Sequence, residues 1–209
     1  FTAFYARGGI LGPLRDKNSL PMLTVQGFGD HQVAMNLAAG VLAALFKAKM
    51  TGEGDHVVVS LFHSAIWDIS LMLQASQYGA DSTQYPMERW KLGNPLVLCY
   101  ETADGQWLQI AMPQYDRHYP ILMNAMGYPE LADDTRYYPQ KNLIPNREEF
   151  SAWITAEFKK KTCDEWCKLL DANDLPYAIA QEWDSLLEDK QAWASDCFYE
   201  MSYSNGNKR

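Results

Sequence analysis

The sequence predicts an α/β chain built in two parts, and three observations carry that prediction. A long apolar stretch with helical spacing, residues 31–49, is followed by a β-branched run and then by a second apolar helical stretch. The composition changes at residues 79–95, "GADSTQYPMERWKLGNP", where charge, proline and glycine replace the apolar pattern. Beyond that break, two alternating runs meet at Asp104-Gly105, the dipeptide of a tight hairpin, and helical segments follow.

Composition bounds the function classes. At 209 residues, with 47% hydrophobic and 13% aromatic content, the chain can form one large domain or two small ones with real cores. Its net charge of -8 comes from acidic residues scattered among basic ones, which disfavours nucleic acid and anionic membrane surfaces as partners. No apolar stretch reaches membrane-spanning length without a charge or polar break, and the N-terminus lacks the basic region of a signal peptide. Of the four cysteines only Cys163 and Cys167 are close, and no second Cys or His pair accompanies them, so no metal site is expected. Sparse cysteine suits a reducing cytoplasm. The start "FTAFYARGG" reads as mid-element and "SYSNGNKR" resembles a hairpin turn, so the chain is expected to be a fragment.

The elements follow in order. Residues 13–30 hold Pro13, Pro21 and several charges, which predicts an irregular approach to the glycines of "QGFGDHQ". From His31 to Lys49, Val33, Leu37, Val41 and Leu45 fall four apart, Leu42 and Phe46 widen the stripe, and alanines fill the rest; this predicts a helix buried on most sides. "TGEGD" ends it, "HVVVSLF" reads as a buried strand, and a second apolar helix is expected over Leu61 to Tyr78. After the 79–95 break come the hairpin in "LVLCYETADGQWLQIAM" and helices near 114–126, 147–160 and 163–172. The last opens with Thr162 and Glu165 in capping-box spacing. "LPYAIA" reads as a strand and "SLLEDKQAWASDCF" as a further helix. There is no internal repeat.

Asp30 admits two readings. It can be a helix cap, accepting hydrogen bonds from the first free amides and contributing about 1 kcal/mol. It can also be a nucleophile: Gly27 and Gly29 leave the backbone beside it open to a ligand, free amides at a helix start favour an anion, and an anchored helix makes a rigid platform. A rigid, ionised carboxylate is suited to attack an activated acyl group. The residues alone leave the choice open.

"QGFGDHQVAMNLAAGVLAALFKAKMTGEGDHVVVSLFHSAIW" resembles the central segment of the family III CoA-transferases, which include formyl-CoA transferase, carnitine CoA-transferase and α-methylacyl-CoA racemase. The G-x-G-D stretch, the small-residue helix, the K-x-x-x-T-G-x-G-D turn and the V-x-V-S-L run stand in the family's order. "TAFYARGG", "SLFHSAIW", "AIAQEWDSLLEDKQAWASD" and "YSNGNKR" resemble most the 2-hydroxyacyl branch, the cinnamoyl-CoA:phenyllactate and 2-hydroxyisocaproate CoA-transferases of amino-acid-fermenting anaerobes.

The resemblance implies part of a Rossmann-like large domain (residues 1–80), a linker (81–96), a small α/β domain (97–188) and a return towards the large domain (189–209). It implies Asp30 as nucleophile, an aspartyl-CoA thioester, coenzyme A as substrate with no tightly bound cofactor and no metal, and an interlocked homodimer of the full-length enzyme. The acids expected are 2-hydroxy acids, aromatic or branched. The family's main CoA-binding segment lies before the position of Phe1 and its chain returns to the large domain beyond Arg209, so weak CoA binding by these residues alone is expected. Gly27, Gly29, His31, Gln32, Gly93 and Asn94 are the expected contacts to substrate or CoA, with the His31 amide or imidazole at an oxyanion or carboxylate. The stretch "MERWKLGNP" stands where formyl-CoA transferase has a glycine-rich lid, yet has Gly93 alone; lid and plain linker both stay open. The alternatives are a racemase of the same family, which needs a second acid/base partner, and a structural module in which Asp30 is only a cap. The tyrosines at 115, 119, 128, 137 and 138 read as a small core or an aromatic-acid pocket, and Lys159 to Lys161 as a helix end or a phosphate site.

Overall fold

The computed structural model describes residues 2–80 and 85–208. The chain divides into two compact units, Phe1–Leu92 and Gly93–Arg209.

The first unit is organised around α1 (Phe28–Thr51). Gly27 starts the helix in the left-handed region at φ 76°, and Gly52 ends it at φ 76° with its amide on the Ala48 carbonyl, a conformation glycine adopts without a Cβ penalty. A Lys47–Asp55 ion pair of 2.8 Å ties the helix end to the following loop. The face that turns inward is the small one. Asn36 Nδ2 donates to Ser64 Oγ at 2.7 Å, and a Cβ on Gly40 would stand 2.7 Å from Val57 Cγ1.

The expectation of a helix buried on most sides is therefore corrected. Gly29 is its one buried residue, and Met35, Leu42, Leu45, Phe46 and Met50 are 57–70% exposed. Small residues allow the close approach to Val57 and Ser64, while the large apolar side chains lie on the faces this unit does not cover. Taken as a helix, Phe28–Thr51 is long and apolar enough, by length and composition, to cross a membrane. That qualifies the sequence expectation, since Asp30, Asn36, Lys47 and Lys49 do not interrupt the helix.

Two more sequence expectations change here. Residues 53–60 carry no regular structure, so "HVVVSLF" forms no strand; an extended run becomes a strand only when another backbone completes its ladder, and no described residue does so. The second apolar helix is split into α2 (Leu61–Asp68), capped by Ser60 Oγ on the His63 amide, and α3 (Ser70–Gln77), separated at Ile69 with φ -99° and ψ 12°. Among the described residues the core of this unit is Phe4, Tyr5, Ile10 and Ala65, with Leu11, Leu61 and Ile69 against it. Phe4 and Tyr5 come from a single π-helical turn, Thr2–Ala6. Met87 is tied back to this unit by a bridge to Asp16 and by the Lys17 amide at 3.0 Å, so residues 85–92 are held against it.

The second unit holds a three-stranded antiparallel sheet in the order β1 (Cys99–Glu101), β2 (Trp107–Ile110), β3 (Tyr177–Ile179). The hairpin pairs Cys99 with Gln109 and Glu101 with Trp107 across Gly105 at φ 77°. Helices α4 (Tyr115–Met126), α5 (Gln140–Leu143), α6 (Arg147–Phe158) and α7 (Cys163–Ala172) pack a core that includes Trp166, Phe158, Tyr100 and Leu108. α7 opens with the expected capping box: the Thr162 amide donates to Glu165 Oε2 at 2.8 Å, and Thr162 Oγ1 accepts from the Glu165 amide at 3.3 Å.

The tyrosines are core residues. Tyr115 and Tyr119 donate to the carbonyls of Tyr137 and Leu131 at 3.0 and 2.8 Å, and burial pushes both hydroxyls above their ordinary pKa. The lysine run is engaged too, with Lys159 on Glu101 at 2.7 Å, Lys160 on Glu157 at 2.5 Å and Lys161 over the Trp166 ring. The helix expected over residues 185–198 is only a 3-10 turn, Ser185–Glu188, and a short α8 (Lys190–Ala194). Asp189 is extended between them and accepts the amides of Gln191 and Ala192, which starts a new helix where the old one would have continued.

Candidate active site around Asp30

The start of α1 sits on a buried aromatic floor. A Cβ on Gly29 would lie 2.6 Å from Phe4 Cγ, so the glycine brings the helix backbone onto that ring. Gly27 is needed for its left-handed backbone. The sequence reading gave both glycines to ligand approach; the structure assigns Gly29 to packing and Gly27 to the turn, although both line a cavity of about 310 Å³. The remaining lining residues are Phe4, Tyr5, Val25, Gln26, Phe28, Asp30 and Leu61.

Asp30 occupies the third position of α1, is exposed, and is not the cap. The N-cap is Gly27, with no side-chain capping hydrogen bond. No hydrogen bond or ion pair engages the Asp30 carboxylate among the described residues. The amides of Phe28, Gly29 and Asp30 are also without acceptors among them, since the first helical bond is made by the His31 amide to the Gly27 carbonyl at 2.9 Å. The three residues with acceptor-free amides, Phe28, Gly29 and Asp30, all line one cavity, at a helix start where such amides favour negative charge.

The other expected contacts separate. The His31 amide is occupied by that helical bond, so it is not an oxyanion donor, and its imidazole lies near Gly27, 3.5 Å from where a Cβ would be. His31 and Gln32 are outside the cavity lining. Gly93 and Asn94 open the second unit, and their polar groups are engaged inside it. The Gly93 carbonyl accepts from Gln140 Nε2 at 3.1 Å, Asn94 Nδ2 donates to the Met112 carbonyl at 3.0 Å, and Asn94 Oδ1 accepts the Leu96 amide at 2.9 Å. The sequence reading missed Phe4, Tyr5 and Phe28 as site residues; the quoted "FTAFYARGG" and "GFGD" held the signal, which only the folded contact between them reveals. Among the described residues no group of three or more His, Cys, Asp or Glu side chains could hold a metal ion. Asp30 is the one carboxylate in the lining, and neither a histidine nor a glutamate stands beside it there.

The exposed Asp30 carboxylate thus stands on the first turn of α1 at the edge of this cavity. The sequence profile of the CoA-transferase family III matches residues 2–208, and the chain belongs to that family. It is 45% identical over its whole length to cinnamoyl-CoA:phenyllactate CoA-transferase of Clostridium sporogenes, covering 51% of that protein. It is 37% identical over 99% of its length to (R)-2-hydroxy-4-methylpentanoate CoA-transferase of Clostridioides difficile, again covering 51%. The chain therefore spans about half the length of these curated relatives.

Solved structures agree on the fold. The crystal structure of Rv3272 from Mycobacterium tuberculosis matches with TM-score 0.73 at 25% identity, over 92% of this chain and 50% of that one. A CaiB/BaiF family protein from Brucella suis matches with TM-score 0.77 at 18% identity, over 99% of this chain and 56% of that one. The α/β fold is that of family III CoA-transferases.

Proposed function

We propose that this chain carries the nucleophile of a CoA-transferase that moves CoA from an acyl-CoA to a 2-hydroxy acid, aromatic or branched, through an aspartyl-CoA thioester on Asp30. The observation that carries the reading is the Asp30 carboxylate, unpaired among the described residues, on the acceptor-free first turn of α1 at a cavity whose lining includes Phe4, Tyr5, Val25, Phe28 and Leu61. The names of the two clostridial relatives support the acid class.

The chemistry balances without a metal. The Asp30 carboxylate attacks the donor thioester carbonyl, and CoA thiolate leaves as a mixed anhydride forms. The thiolate then attacks the aspartyl carbonyl, releasing the donor acid and leaving the aspartyl-CoA thioester. The acceptor carboxylate attacks that thioester, and the returning thiolate takes the new acyl group and frees Asp30. The amides of Phe28, Gly29 and Asp30 supply donors to the oxyanions of these additions. The racemase alternative gains no support, because the lining offers no second acid/base group such as His or Glu.

The reading includes a homodimer of the full-length enzyme, a cytoplasmic location and a return of residues 189–209 towards the large domain. The four unpaired cysteines support the location, and the resemblance to the family supports the other two. The test is a hydroxylamine trap: incubation of the intact enzyme with acyl-CoA should leave a mass change on the Asp30 peptide, and Asp30→Asn should abolish transfer while the fold persists. An Asn variant that keeps near-normal turnover, with deamidation excluded by mass, defeats the assignment.

A further inference from the structure

The acyl group that reacts with Asp30 has to lie in the cavity beside it, and the walls of that cavity are unusually aromatic. Phe4 and Tyr5 are 2% and 5% exposed, meet edge to face at 5.2 Å and 86°, and are fixed by the core they form. Phe28 completes the trio, its ring centroid 6.4 Å from each of them, yet it is 60% exposed. One face of this aromatic cluster is thus backed by core and another is open at the mouth. An apolar ligand entering the cavity would cover the open ring and remove it from water. At about 310 Å³ the cavity lies at the small end of the ~300–1,000 Å³ usual for ligand sites, suited to an acyl group and too small for a whole CoA.

We propose that Phe28 sets the acid specificity of the reaction: its ring, backed by Phe4 and Tyr5, is the surface against which the acyl side chain lies while the carbonyl meets Asp30, and it selects aryl or bulky branched acids over short ones. This rests on the assignment of Asp30 as nucleophile. The role proposed here belongs to the Phe28 side chain alone; the backbone amide that faces the oxyanion step is kept in every variant at this position. Phe28 is not among the buried core residues of this unit, so a substitution there tests the ligand surface more than the packing of that core.

The experiment compares two acceptors that share a 2-hydroxycarboxylate head and differ in one phenyl ring, 3-phenyl-2-hydroxypropanoate and 2-hydroxypropanoate, with a common acyl-CoA donor and the intact enzyme. The unsubstituted protein should favour the aryl acid. In Phe28→Ala the ratio of the two kcat/KM values should fall about tenfold or more, mainly through KM for the aryl acid, and Phe28→Tyr should retain most of the preference. Equal losses for both acids, an unchanged ratio, or a native preference for the short acid would overturn the proposal. Equilibrium titration of Asp30→Asn with the same two acids separates this inference from the nucleophile assignment, because binding needs no turnover. An aryl preference that disappears with Phe28→Ala upholds the specificity role even if transfer chemistry lies elsewhere, and a preference indifferent to Phe28 defeats it even if Asp30 is acylated.

Discussion

The two units use their apolar residues in opposite ways. In the second unit nineteen buried residues form one core around Trp166 and Tyr100, while in the first the described core has four, and the large side chains of α1 face outward. The first unit nonetheless carries Asp30, the proposed nucleophile. Its few buried residues, Phe4 and Tyr5 above all, are those that place the start of α1 and wall the cavity. A small core can therefore define a site when its contacts are concentrated there, and the same economy makes the site sensitive to single atoms.

The largest effect that would break this comparison lies in the second unit. Trp166 is buried, stacks on Phe158 at 4.4 Å and donates its indole N–H to the Phe158 carbonyl at 2.8 Å. Trp166→Ala should cost roughly 3–5 kcal/mol in urea denaturation, combining a cavity with the unsatisfied carbonyl. A cost below about 1 kcal/mol would show that the second unit is not held by this core.

Next in size is a pH effect in the same core. Desolvation, with Cys167 close by, pushes the Cys163 thiol up to about 11. The folded value is raised, so the stability it reflects is complete below the unfolded thiol pKa of roughly 8.5 and is lost as pH rises towards 11. Iodoacetamide at pH 8 should therefore modify exposed Cys197 well before buried Cys163. Mass spectrometry gives the order, and early labelling of Cys163 would contradict a closed core.

Gly29→Ala sharpens the contrast from the other side. The new Cβ would collide with the buried Phe4 ring at 2.6 Å, and overpacking of this kind costs about 1–3 kcal/mol. Thermal melts should show the loss, and transfer activity should fall with it, since Phe4 also walls the cavity. Thr162→Ala, which removes the α7 capping box, should cost about 1 kcal/mol and leave the first unit unchanged.

What the sequence made legible follows from how local each feature is. The Asp104-Gly105 hairpin, the Thr162–Glu165 box and the glycine end of α1 at Gly52 depend on a few adjacent residues, and all are present. The reading of residues 56–62 as a strand failed because a ladder needs a partner elsewhere. The apolar stripe on α1 gave the helix but not its inward face, which Gly40, Asn36 and their neighbours Val57 and Ser64 decide. Asp30 could be picked out beforehand by its glycines and by resemblance. The role of those glycines could not, because Phe4 lies twenty-five residues earlier and no spacing rule joins it to Gly29.

The smallest expected effect tests the comparison most directly, because it removes an aromatic ring of the kind that costs several kcal/mol in the second unit. Phe46 lies on α1 and is 68% exposed, so Phe46→Ala deletes little packed surface, and alanine is the better helix former by up to about 0.7 kcal/mol. The two terms nearly cancel, and a surface substitution of this kind is expected within about 0.5 kcal/mol of neutral. Urea denaturation followed by far-ultraviolet circular dichroism would measure it, with Trp166→Ala as the internal contrast. A loss near 2 kcal/mol would mean that in solution another surface covers the outer face of α1, and the small core seen here would then be only part of what holds the site. An unchanged midpoint would leave Phe4, Tyr5, Ile10 and Ala65 as sufficient support for the carboxylate at the head of the helix.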